Sequence, residues 1–227
     1  MGSKSLKEEC FRLFGKKSGG VLYGQHTRLL HIMRTHLIYV VWQVLLMTKA
    51  DANDRARVEF FRLGTSYLVV GRFAALTALL PIAGNLLHHA IEMYLKGALV
   101  RMVGLDGLRD IGHNLNGLWE EFKTQIPSAE AGSFDGPIAE LHRFELIRYP
   151  DRIVREGMEA SFTVFRGQRV ESSGSIPLPA YKLVLEDIDA LTKFLFDKAG
   201  VNPQFHLQRL KKESKEFLAR HNRHSLE

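Results

Sequence analysis

The chain reads as a mainly α protein with a small β element late in the sequence. Two observations carry that expectation. Gly and Pro punctuation cuts most of the 227 residues into stretches of helical length. A run of partial alternation, EASFTVFRGQRV, is confined to Glu159–Val170. With 45% hydrophobic and 25% charged residues, the composition is that of a globular protein with enough chain to bury a core.

Taken in order, Lys16-Lys17-Ser18-Gly19-Gly20 reads as a loop, and Thr27–Lys49 has helical length. Within it, Leu37–Met47 is rich enough in Val, Ile, Tyr and Trp to pass for a buried strand. Asp51-Ala52-Asn53-Asp54 signals a helix start, because short polar side chains accept hydrogen bonds from first-turn N–H groups. The helix that follows is expected over 53–79. Leu80-Pro81 breaks it, and Pro81 suits the first turn of a second helix ending near Arg101, before a Gly104–Gly112 loop. Further helices are expected over 114–124 and 134–149, the latter stopped by Pro150. Arg166-Gly167-Gln168 then offers the turn of a β-hairpin at about 159–170. Helical spacing returns from Tyr181 to Lys198, and a charged, weakly packed helix is expected over 204–223. The organisation is an N-terminal helical extension (1–50), a helical domain (51–200) and a basic helical tail (201–227).

Several classes are set aside on composition. One cysteine, Cys10, excludes an intrachain disulfide framework and fits a reducing compartment. The apolar run Leu37–Met47 is eleven residues long with Gln43 inside it, short of the roughly 20 residues that span a bilayer. The first residues lack the apolar region of a signal peptide, so a cytoplasmic protein with no membrane partner is expected. The net charge of +6 is uneven: residues 1–34 hold seven Lys/Arg against Glu8 and Glu9, and residues 204–227 six against three Glu. Basic ends suit contacts with an anionic partner such as RNA, and equally suit plain solvation.

The stretch NLLHHAIEMYLK (Asn85–Lys96) carries most of the functional signal. On a helical wheel Asn85, His88, His89, Glu92 and Lys96 fall in one arc of about 100°, shared only with Leu99. The remaining girth is apolar, so this helix is expected at the centre of the fold. Its polar stripe is then a solvated face with a Glu92–Lys96 pair, the lining of a cleft in which histidine serves as acid/base or phosphate partner, or a metal site. A metal on His88 and Glu92 would need a third ligand, from His113 or His142, and the chain has no His-Glu-x-x-His pattern. No metal or cofactor is expected. Two further features belong to the same zone. His113 lies at a helix start in Gly112-His113-Asn114-Leu115, and Arg148-Tyr149-Pro150-Asp151 closes the 134–149 helix with Arg143, Arg152 and Arg155 nearby.

In this order, the segments resemble a known family. A Gly-Arg-x-x-Ala helix (Gly71-Arg72 to Ala75), His89-Ala90-Ile91-Glu92 with Leu95-Lys96-Gly97, His113-Asn114-Leu115 and Arg148-Tyr149-Pro150 are similar to motifs of small HEPN (higher eukaryote and prokaryote nucleotide-binding) proteins. The resemblance covers about residues 53–152. It implies an antiparallel helical bundle, often a homodimer whose cleft binds RNA or nucleotides. Many members are metal-independent ribonucleases of defence or toxin–antitoxin systems that use an Arg-x4–6-His motif. No histidine here follows an arginine at that spacing, and Arg109-x3-His113 is one residue short. The expectation is therefore an RNA- or nucleotide-binding regulatory protein without catalysis of its own. Its ligand would be held by Asn85, His88, His89, Glu92, Lys96, His113, Arg148 and Tyr149. The alternatives are a divergent ribonuclease using His113, His89 and Arg148, and a structural or protein-interaction module in which these residues only cap and pack helices.

Overall fold

A computed structural model describes residues 52–168 and 178–224 of the chain. The expected N-terminal helix, its Leu37–Met47 run and the Ser172–Ser175 loop lie outside the described residues. In sequence order the described elements are α1 (52–76), α2 (Leu80–Ile111), α3 (Leu115–Gln125), α4 (Asp135–Phe144), α5 (Pro150–Glu156), β1 (Glu159–Thr163), β2 (Ala180–Val184), α6 (Leu185–Ala199), α7 (Gln204–Leu207) and α8 (Lys212–Ala219). Short 3₁₀ turns at Ala131–Phe134 and Glu145–Ile147 flank α4. The described part is thus mainly helical with one small sheet. None of its helices is long and apolar enough to cross a membrane.

α2 is the element the others are built on. Between Ala83 and Val100 it is buried on nearly every side, with Leu87, Ala90, Ile91, Tyr94, Leu95 and Leu99 all at 0% exposure. It touches α3, α4, α6 and β1. α1 reaches it through small residues: a Cβ added at Gly64 would meet the Tyr94 ring, one at Gly71 would meet Leu87, and one at Gly97 would meet the Phe61 ring. Those three pairings descend along α2 as they ascend along α1, so the two helices run in opposite directions. Phe196 then meets Phe61 and Tyr94 edge to face at 4.9 and 5.0 Å, the geometry aromatic quadrupoles favour, and the Phe61 and Tyr94 rings are tilted against each other at 5.6 Å. On the far side Gly84 admits the Phe144 ring, where a Cβ would lie 1.9 Å from the Phe144 Cδ1. That contact draws the end of α4 against the polar stripe of α2.

The structure corrects several boundaries. α2 continues past Arg101 to Ile111, interrupted at Gly104, whose φ of 73° and ψ of 172° suit only glycine. The loop expected over 104–112 is therefore a short helical segment between Gly104 and Gly112 (φ 70°). The helix expected over 134–149 ends at Phe144 in a 3₁₀ turn, and Pro150 starts α5 rather than only stopping its predecessor. Tyr149, extended at φ −110° and ψ 145°, takes the conformation forced on a residue before proline.

Among the described residues, 159–168 form no hairpin. β1 pairs in parallel with β2, in register from Glu159↔Ala180 to Thr163↔Val184. The turn at Arg166-Gly167-Gln168 is present, with the Gln168 side chain accepting from the N–H groups of Val164 and Phe165, but the strand paired with β1 is β2, which runs in the same direction. The helix expected from Tyr181 starts only at Leu185. Tyr181 and Leu183 are buried around exposed Lys182, a strand alternation that runs directly into the helical spacing of α6.

The terminal helix expected over 204–223 is two short ones, α7 and α8, and it is anchored. Arg72 on α1, at 0% exposure, donates from Nε to the Phe217 carbonyl (2.9 Å), from Nη2 to the Arg220 carbonyl and from Nη1 to Asp189 on α6. One guanidinium so satisfies carbonyls at the end of α8 and neutralises a buried carboxylate. Burial pushes the Asp189 carboxyl up to about 6, against the pull of Arg72, so the pair is ionised at neutral pH. Replacing Arg72 by Met strands that carboxylate, and chemical denaturation is expected to register a loss of about 3–5 kcal/mol. The double variant Arg72→Met/Asp189→Leu should recover much of it. Equal losses in the single and double variants would mean that the carbonyls, and not the charge, are what Arg72 serves.

Candidate functional site

The polar stripe of α2 lies inside the protein, not on a wet face. His88 and Glu92 are at 0% exposure and Lys96 at 8%. Because α2 is covered on all sides, this stripe has to be satisfied by protein, and Glu92 is the group around which that happens. Glu92 Oε1 accepts from Lys96 Nζ at 2.7 Å and from His113 Nδ1 at 2.8 Å, and Oε2 accepts from His89 Nδ1 at 3.2 Å. Burial alone would raise the Glu92 pKa. The hydrogen bonds from His89, Lys96 and His113, with the Lys96 charge, outweigh it and hold the carboxyl at about 2. Glu92 is thus an anion at neutral pH, and the Glu92–Lys96 pair expected as a surface pair is a buried one.

Each partner arrives by a different route. Lys96 is one turn further along α2, at (i, i+4). His89 sits at (i, i−3), with its ring against Tyr67 of α1 at 5.5 Å. His113 comes from beyond the Gly104 interruption, just before Asn114, whose side chain caps α3 by accepting from the Gly117 N–H at 3.1 Å. Since a carboxylate only accepts, both imidazoles carry their proton on Nδ1. The atom left to each ring is Nε2, and the His113 side chain is 75% exposed.

His88 reaches from α2 to α4. Its Nδ1 donates to the Leu141 carbonyl of α4 at 3.1 Å, which leaves Nε2 with the lone pair. Burial pushes its pKa down, so the ring is neutral. That Nε2 has no hydrogen-bond partner; Glu145 Oε2 stands 3.9 Å away. Two more buried atoms nearby also lack partners: His142 Nδ1, whose ring stacks on His88 at 6.2 Å, and Asn85 Oδ1, whose amide nitrogen donates to the Pro81 carbonyl. Glu145 in turn holds Arg148 at 3.3 Å, and its charge helps keep the guanidinium protonated. Arg148 lies 5.8 Å from the ring of Tyr149, which is 66% exposed.

The structure therefore gathers His88, His89, Glu92, Lys96 and His113 into one network. Arg148 and Tyr149 join it only through Glu145, and Asn85 borders it. A ring nitrogen of His88, one of His89 and a Glu92 oxygen all lie within 4.8 Å of one another. Sequence reasoning missed Glu145, the Leu141 carbonyl and the buried role of Arg72. Nothing in the 134–149 pattern distinguished Glu145 from a surface acid. In comparisons with known proteins, no family model, no curated protein and no solved structure matches the chain.

A carboxylate held at about 2 against an ordinary value of 4.5 stabilises the fold above pH 4.5, and that contribution is lost as the pH falls towards 2. Relative to wild type, Glu92→Gln should lose on the order of 2 kcal/mol at neutral pH, and the gap should close in acid. Urea melts at pH 7, 4 and 2.5 measure it. A gap that stays constant with pH would mean that packing, and not charge, is what the variant disturbs.

Proposed function

We propose that the protein is a HEPN-like antiparallel helical bundle that binds RNA or a nucleotide as a regulatory protein, without catalysis of its own. One observation carries the reading. A buried carboxylate orients two imidazoles through Nδ1, which leaves the Nε2 lone pair of exposed His113 as an acceptor, while the exposed Arg148 guanidinium and Tyr149 ring, joined to the same cluster through Glu145, supply donors and an aromatic face. A guanidinium takes phosphate oxygens, an imidazole lone pair takes a ribose hydroxyl or a base N–H, and an exposed ring takes a base. The order of the HEPN-like motifs and the basic chain ends support the same reading. The homodimer that the resemblance implies belongs to this proposal, and light scattering on the purified protein tests it.

A second reading is favoured by the Glu92–His113 hydrogen bond, the arrangement that orients an acid/base histidine. In a divergent metal-independent ribonuclease of a defence or toxin–antitoxin system, His113 would move the proton of the attacking 2′-hydroxyl and Arg148 would hold the phosphate. The absent Arg-x4–6-His motif places this reading second.

Binding of a fluorescent single-stranded RNA, followed by anisotropy at low salt, tests the proposal. Arg148→Ala should weaken binding several-fold and lower the salt slope by about 1. Tyr149→Ala should weaken it by about 1–3 kcal/mol if a base stacks there. No binding by the wild type at low salt sinks the proposal. Cleavage of the RNA in EDTA that disappears in His113→Ala would put the ribonuclease reading first.

A further inference from the structure

We propose that His88, His89 and Glu92 form a binding site for a divalent transition metal of the zinc class, with Glu145 at its open side. Four observations converge on it. The first is composition and spacing: two imidazole nitrogens and a carboxylate oxygen lie within 4.8 Å of one another, and two histidines with one glutamate are a donor set that zinc accepts with a fourth position left open. The second is an orphaned ligand atom. His88 is wholly buried, its Nδ1–H is spent on the Leu141 carbonyl, and its Nε2 lone pair has no partner. A metal-ligating histidine shows this same pattern, one nitrogen donating to a carbonyl and the other bare.

The third is the His89–Glu92 contact. Nδ1 and Oε2 stand 3.2 Å apart, close to the roughly 3.3 Å between two ligand atoms on a tetrahedral zinc ion. The metal takes the place of the proton between them: the neutral His89 ring gives up its Nδ1 proton and takes one up from solvent at Nε2, and metal–N and metal–O bonds replace one N–H···O bond and two of the ion's bound waters. The fourth is the outer shell. Glu92 Oε1 keeps its bonds from Lys96 and His113, which fix the carboxylate while Oε2 turns to the metal. To complete the site His88 closes on the other two ligands, and Glu145 Oε2, 3.9 Å from His88 Nε2, faces the ion across a solvent-accessible side. His142, stacked on His88, packs behind the ligand ring.

The inference does not rest on RNA binding. It concerns the buried side of Glu92, whereas the proposed ligand surface lies at His113, Arg148 and Tyr149. The chain also carries histidines remote from this cluster, which a test has to separate from it.

The full chain, stripped of metal with a chelator and dialysed, is titrated with Co(II) and followed by its visible d–d absorption. Zn(II) binding is then measured by calorimetry, with no nucleic acid present. One equivalent of Co(II) with the intense bands of a four-coordinate site is expected, displaced by Zn(II). His89→Gln and Glu92→Gln should each weaken the affinity at least tenfold, with circular dichroism confirming that both remain folded. His206→Gln, away from the cluster, should leave affinity unchanged. If the wild type takes up no Co(II), or if both cluster variants bind it as tightly as the wild type, the site is overturned. Neither result would touch the RNA-binding reading, and loss of RNA binding would not touch this one.

Discussion

A carboxylate cut off from water has to be neutralised by whatever packs around it, and Glu92 imposes that condition on this fold. α2 is apolar over most of its girth and covered on almost every side, so its polar stripe cannot be left to solvent. Leaving an ionised group unpaired there would cost several kcal/mol, comparable to the whole stability of a domain. Lys96 answers from the same helix, His89 from the turn before and His113 from the start of α3. The position of α3 relative to α2 is thus tied to charge compensation as well as to the apolar packing of Leu115, Leu118 and Phe122.

The same device recurs at the other end of the fold. Arg72 and Asp189 are a second buried ion pair, joining α1 to α6 while the guanidinium also holds the carbonyls of α8. Both networks put a group with fixed hydrogen-bond geometry between elements that apolar contact alone would leave free to slide. They differ in what remains open. Two of the three Arg72 nitrogens are spent on backbone and the third on Asp189 Oδ1, and what is left there is one buried atom, Asp189 Oδ2, without a partner. Around Glu92, His88 Nε2 is bare and the His113 ring and the Arg148 guanidinium reach the surface, which is why the functional readings gather there and not at Arg72.

The helical class and the centrality of α2 were legible because a nearly all-apolar circumference is a property of one segment, visible in Asn85–Lys96 itself. The stripe residues were legible for the same reason. Their burial was not, because it depends on Phe144 entering the gap at Gly84 and carrying the Leu141 carbonyl to His88. Such a contact is set by a glycine that, in sequence, looks like any other. The parallel strand pair was hidden for a different reason. β2 is five residues whose alternation runs without a break into the periodicity of α6, and its partner β1 ends 17 residues earlier in the sequence, so the adjacent turn at Gly167 suggested the nearer pairing. Arg72 was noticed as part of a motif but not as an anchor, since its partners lie 117 to 148 residues away.

Gly104 and Gly112 bracket the seven residues that deliver His113 to Glu92, and both have positive φ with open space where a side chain would stand. Of the three partners of Glu92, His113 alone reaches it through two such backbone joints; His89 and Lys96 are welded to it by the helix they share. The segment between the joints is seated by Leu108, and the backbone angles at its two ends set where one imidazole meets a carboxylate fixed in α2. The charge balance of the cluster is therefore stepped, with a core of three groups built into α2 and a fourth coupled through geometry that only glycine permits.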